Sequence, residues 1–96
     1  MNVDLTNFNN HAKPLLKLLA ESFPASLKID FTVLHERTYE NDEEYNAYKG
    51  AVYFLLKEGV IREHTNVNFV LTDKGVELIN GVSVLRGIGE LINPPT

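Results

Sequence analysis

Between His11 and Phe23 the apolar residues Ala12, Leu15, Leu16, Leu19 and Phe23 recur at three- and four-residue intervals, with Lys13, Lys17 and Glu21 opposite them. That is the period of an amphipathic helix, expected over residues 11–22. Pro14 suits a first turn, where its missing N–H leaves no bond unmade, so the helix is expected to begin near Asn10 or His11. Pro24 ends it. "LKI" at 27–29 alternates as a short strand does, and Asp30 stands where a helix N-cap would stand. Phe31, Val33 and Leu34 then predict a short second helix ending near Arg37, followed by the polar connection "RTYENDEEY".

The strongest helical pattern covers residues 43–58. Asn41 or Asp42 can cap it, and Glu43 and Glu44 suit the positive end of its dipole. Tyr45, Tyr48, Ala51, Val52 and Leu55 form its apolar stripe, and Gly59 fits the left-handed position past its end. Val60–Glu63 and Val67–Leu71 read as two strands joined by "HTN". In the second, Val67, Phe69 and Leu71 alternate with Asn68 and Val70 as in a half-buried strand. Thr72 is the expected cap of a fourth helix carrying Val76, Leu78 and Ile79 and stopped near Gly81. A last short helix is expected over 83–92, with Val84, Leu85, Ile88, Leu91 and Ile92 on one face despite Gly87 and Gly89.

The order of elements, together with "LLKEGVIRE" and "FVLTDKGVELI", resembles the winged helix-turn-helix superfamily over roughly residues 10–80. In many of its members the third helix closes on Leu-x-x-x-Gly-Leu/Ile-Ile, a hairpin follows, and Leu-Thr-x-x-Gly opens the next helix. The matching residues here are Leu55, Gly59, Val60 and Ile61, then Leu71, Thr72 and Gly75. With "LLKLLAESFP" added, the chain is also similar to a group of small uncharacterised bacterial winged-helix proteins, which implies no activity. The implied fold is α+β, mainly helical: a three-helix core, a short β-hairpin wing and an extra C-terminal helix, all in one domain over residues 1–96. Two departures stand out. The link from the second helix to the third is long and acidic, and the tip of the wing is short.

The resemblance implies that the outer face of the third helix enters a DNA major groove. With Tyr48, Val52 and Leu55 inward, that face presents Asn46, Lys49, Gly50, Tyr53 and Lys57, and the wing adds Arg62 and His64. Asn, Lys and Tyr are residues that read base edges or hold phosphates. Lys28 and Arg37 flank the second helix as further backbone contacts. A net charge of −4 and the acids Glu40, Asp42, Glu43 and Glu44 at the start of the third helix weigh against phosphate. The competing reading is a protein-interaction module with the same fold. Tyr39, Tyr45 or Tyr53 would serve as anchors, Glu43 and Glu44 would meet a basic partner, and Leu85, Ile88 and Ile92 would form an apolar stripe. That stripe either mediates a homodimer or folds back on the first helix.

The chain has 96 residues, 44% of them hydrophobic, enough for one core. It has no cysteine, so disulfides and thiolate metal sites are excluded. No stretch is apolar enough for a membrane span, and "MNVDLTNFNN" is no signal peptide, which suits a cytoplasmic location. The three histidines lack metal-site spacing, Ser22, Ser26 and Ser83 lack a nucleophile-elbow setting, and no glycine-rich phosphate loop is present. The expectation is a non-catalytic protein without cofactor or metal.

Overall fold

A computed structural model describes residues 3–92. In chain order its elements are α1 (Thr6–Ser22), β1 (Leu27–Lys28), α2 (Phe31–His35), α3 (Asp42–Lys57), β2 (Ile61–Thr65), β3 (Asn68–Leu71), α4 (Asp73–Asn80) and α5 (Val84–Ile92). The fold is α+β and mainly helical, with one small antiparallel sheet of strand order β1-β3-β2.

α1 begins at Thr6 and not near Asn10, and Pro14 therefore sits inside the helix. Two contacts explain the longer helix. Asp4 Oδ1 accepts from both the Thr6 N–H and the Thr6 hydroxyl at its entry. The added turns bury apolar surface: Phe8, half-buried, meets Phe54 of α3 edge-on at 5.4 Å. That burial outweighs the backbone bond lost at proline.

Leu15, Leu19, Ile29 and Ile61 are the most fully enclosed side chains and mark the core between α1, α3 and the sheet. α2 is capped as its sequence suggests, with Val33 N–H donating to Asp30 Oδ1 at 2.8 Å. It closes on Glu36 in the left-handed region. α3 is capped by Asn41, whose Oδ1 accepts from Glu44 N–H at 2.9 Å. It buries Tyr48, Ala51 and Leu55 and leaves Tyr45 and Val52 half-buried. Gly59 follows at φ 75°.

The hairpin differs from expectation in three ways. β2 runs on through His64 to Thr65, and the reversal falls on Asn66–Val67 and not on "HTN". His64 is the extra residue where the register shifts, between the Glu63–Phe69 and Thr65–Asn68 pairs. Val67 lies outside β3, half in solvent and at φ 53°, a left-handed conformation that crowds a β-branched side chain. Nor does β3 alternate: Phe69, Val70 and Leu71 are all buried. Val70 is buried as well, and it lines a shallow pocket together with Phe23 and Val84.

At the base of the hairpin the Thr72 hydroxyl reaches the carbonyl oxygens of Gly59 and Val60 and accepts from Gly75 N–H at 3.1 Å. Thr72 N–H donates to Val60 O at 3.1 Å, and Lys74 Nζ to Glu58 O at 2.7 Å. The end of α3 and the start of α4 are thus fastened together. α4 buries Gly75 and Val76, leaves Leu78 and Ile79 exposed, and stops on Gly81 at φ 77°. α5 packs against α4, and Val84 N–H donates to Asp73 Oδ1 at 2.6 Å. The apolar stripe of α5 does not fold back on α1: Leu85, Ile88 and Ile92 are exposed. The side chain of Leu91, assigned to the same stripe, lies outside the described part.

Candidate functional site

With Tyr48, Ala51 and Leu55 turned inward, helical geometry turns Asn46, Lys49, Gly50, Tyr53 and Lys57 outward, and all five are exposed. Lys49 Nζ lies 5.2 Å over the Tyr45 ring, and Lys57 Nζ 5.2 Å over the Tyr53 ring. The lysines therefore stand beside aromatic faces. Arg62 and His64 are exposed on β2, though His64 sits in the bulge and not at the hairpin tip.

Between this face of α3 and the hairpin lies an apolar groove of about 560 Å³. α3 forms one wall with Tyr45, Tyr48, Gly50, Val52, Tyr53 and Leu56. Ile29 and Phe31 line it where β1 passes into α2, and Val67 and Phe69 line it from the hairpin. Its only charged lining residues are Lys49 and Asp30, and the Asp30 carboxylate is engaged as the α2 cap. Gly50 keeps the α3 wall low, since a Cβ placed there would touch nothing within 4 Å. Tyr48, buried against Phe31 with ring centroids 5.5 Å apart, anchors the floor. Burial first, and then the charge of Asp30, pushes its hydroxyl up to about 12, so it stays neutral.

The acidic connection is folded onto itself. Arg37 grips Glu44 with both arms, Nη1 to Oε1 at 2.9 Å and Nη2 to Oε2 at 2.7 Å. Its guanidinium also lies over the Phe31 ring at 5.4 Å. Glu40 N–H donates to Glu44 Oε1 at 2.8 Å. The Arg37 hydrogen bond, then the Glu40 N–H, holds the Glu44 carboxyl down at about 2. Glu44 and Arg37 are thus paired with each other within the chain. Glu43 remains exposed. Tyr39 and Tyr45 pair with each other at 4.5 Å, Tyr39 exposed and Tyr45 half-buried, so they form one aromatic ledge and not two separate anchors.

Sequence reasoning missed a polar cavity of about 470 Å³ beside α1. It is lined by His11 and His35, whose Nδ1 and Nε2 lie 2.8 Å apart, with Arg37, Asn41, Glu43 and Glu44 around them. Burial lowers both imidazoles. The charge of His35 adds to this at His11, and that of Arg37 at His35. The two histidines are 24 residues apart, and no local pattern couples them. The groove residues Ile29, Phe31 and Val67 were equally invisible, because each looks like ordinary core or strand in sequence. Among the described residues no group of three or more His, Asp or Glu is placed to hold a metal ion. Nor is any helix there long and apolar enough to cross a membrane. No family model, curated protein or solved structure matches this chain.

Proposed function

We propose that this chain is a non-catalytic binding module of the winged-helix kind that docks a protein segment in the groove between α3 and the hairpin. The order α1-β1-α2-α3-β2-β3 and the sheet order β1-β3-β2 support the winged-helix reading. The observation that carries the docking reading is Val67. A β-branched residue in the left-handed region is disfavoured, and such strain persists where the surroundings enforce it and concentrates at functional positions. Here it puts an apolar side chain on the groove wall at a turn where Asn or Gly would relax the backbone. A helical ligand with apolar anchors at i, i+3 and i+7 fits a groove of this chemistry.

Selection of displayed peptides against the protein, with Gly50→Glu as the counter-selecting bait, tests this. Amphipathic peptides are expected, with amide shifts at Gly50, Tyr53 and Val67. If no peptide is retained, or if the shifts fall elsewhere, the docking reading fails.

One observation favours a second reading, DNA binding in the cytoplasm: Asn46, Lys49 and Lys57 are exposed together on α3, with Arg62 on the neighbouring strand. Band shift at low salt on mixed genomic fragments tests it. Binding that falls steeply with salt and disappears in Lys49→Ala/Lys57→Ala would favour DNA over a protein ligand.

A further inference from the structure

Among the described residues, two apolar features open to solvent match each other. One is the groove. The other is α5, which presents Leu85, Ile88 and Ile92 to solvent at 72%, 46% and 68% exposure. Their spacing is i, i+3 and i+7, one stripe of a helix and the pattern of a helix seated in a groove. α5 is also tied to the rest of the chain at its first turn. It is fastened by Val84 at its first residue and packs on α4. The molecule extends 55 Å along its longest axis, with a radius of gyration of 15.2 Å. A compact domain of this length has a radius of gyration of about 12–13 Å.

We infer that the groove's occupant is the α5 helix of a second copy of this chain, exchanged reciprocally so that each copy lends its arm and receives its partner's. This rests on the docking reading of the groove and names its ligand. Three considerations favour a second copy over an unrelated protein. The chain itself carries a helix of the required pattern. Its exposed stripe holds no charge, and Lys49 on the groove lining is a cation suited to the negative C-terminal pole of a docked helix. Reciprocal exchange also closes a two-fold pair and doubles the contact. A single nine-residue helix in a groove falls short of the about 1,200–2,000 Å² that stable interfaces bury, and two such contacts approach it.

Sedimentation equilibrium of the full chain tests this. Wild type is expected to shift from monomer to dimer as concentration rises. Gly50→Glu fills the groove from a position with open space above it, and Leu85→Asp/Ile88→Asp spoils the arm at exposed positions, so both variants are expected to keep the wild-type circular dichroism spectrum. Each is expected to weaken self-association by at least about tenfold. An equimolar mixture of the two is expected to pair more tightly than either variant alone but more weakly than wild type, because the mixed pair forms one sound arm–groove contact of the two.

A wild type that is monomeric throughout overturns the inference. So does a Gly50→Glu variant that pairs normally while the arm variant does not, since the arms would then pack on each other. A mixture that pairs no more tightly than either variant alone overturns it as well. If the wild type is monomeric yet still selects amphipathic peptides that Gly50→Glu rejects, the groove reading stands and only its occupant is wrong.

Discussion

His11 Nδ1 and His35 Nε2 share one hydrogen bond at 2.8 Å, so one ring must be neutral to accept what the other donates. The contact pins α2 to α1, and Phe31 of the same α2 lines the groove. Both imidazoles sit below the ordinary 6.5 because of burial. A group whose folded value is depressed favours the fold above its unfolded value. Below 6.5 the unfolded chain takes up protons first, and stability falls until the folded rings titrate. The melting temperature is therefore expected to drop on going from about pH 7 to about pH 5, and His11→Gln/His35→Gln should flatten that slope. Thermal melts across this range check it. An unchanged slope in the double variant would remove the pair as its cause.

Val67 is expected to trade stability against binding. Asn tolerates the left-handed region that valine resists, so Val67→Asn should raise stability by about 1 kcal/mol. The same change removes an apolar group from the groove, so affinity for selected peptides should fall. Urea unfolding and peptide titration on one preparation read both effects, and a variant that is less stable or binds equally well would contradict the assignment.

Two helical glycines should respond in opposite directions to alanine. A Cβ on Gly75 would lie 2.2 Å from the Val60 carbonyl oxygen, a backbone atom held by Thr72, so Gly75→Ala should destabilise severely or prevent folding. A Cβ on Gly50 meets nothing, so Gly50→Ala should stabilise α3 by about 0.5–1 kcal/mol. Soluble yield and unfolding midpoints distinguish the two.

Thr72→Val keeps the shape of the side chain and removes its hydrogen bonding. The loss is expected to be about 1–2 kcal/mol, from the α4 cap and the carbonyls of Gly59 and Val60 left without the hydroxyl. Thr72→Ser should restore most of it. Chemical denaturation of the two variants is the measurement.

Much of the frame was legible because it follows from local rules. Asp30, Asn41 and Thr72 cap the helices they precede, Gly59 and Gly81 end helices in the left-handed region, and the inward and outward sides of α3 follow from its period. What local rules could not supply was set by distant contacts. Phe8 meeting Phe54 drew α1 back through Pro14, against what proline alone implies. Phe69, Val70 and Leu71 are all buried, so a strand that reads as half-buried is enclosed on both faces, and Val70 shares a pocket with the distant Phe23 and Val84. The groove was only partly foreseen. Its lysine, glycine and tyrosine on α3 came from helical spacing. Its other walls depend on where β1 and the hairpin tip come to rest.

The clasp at Thr72 treats the hairpin as a cassette. Because the two ends of the β2–β3 ribbon are bound to each other at Gly59, Val60 and Gly75, residues added or exchanged between Glu63 and Asn68 leave the points of entry and exit where they are. Length and side-chain character can vary at the tip while the frame beneath stays constant.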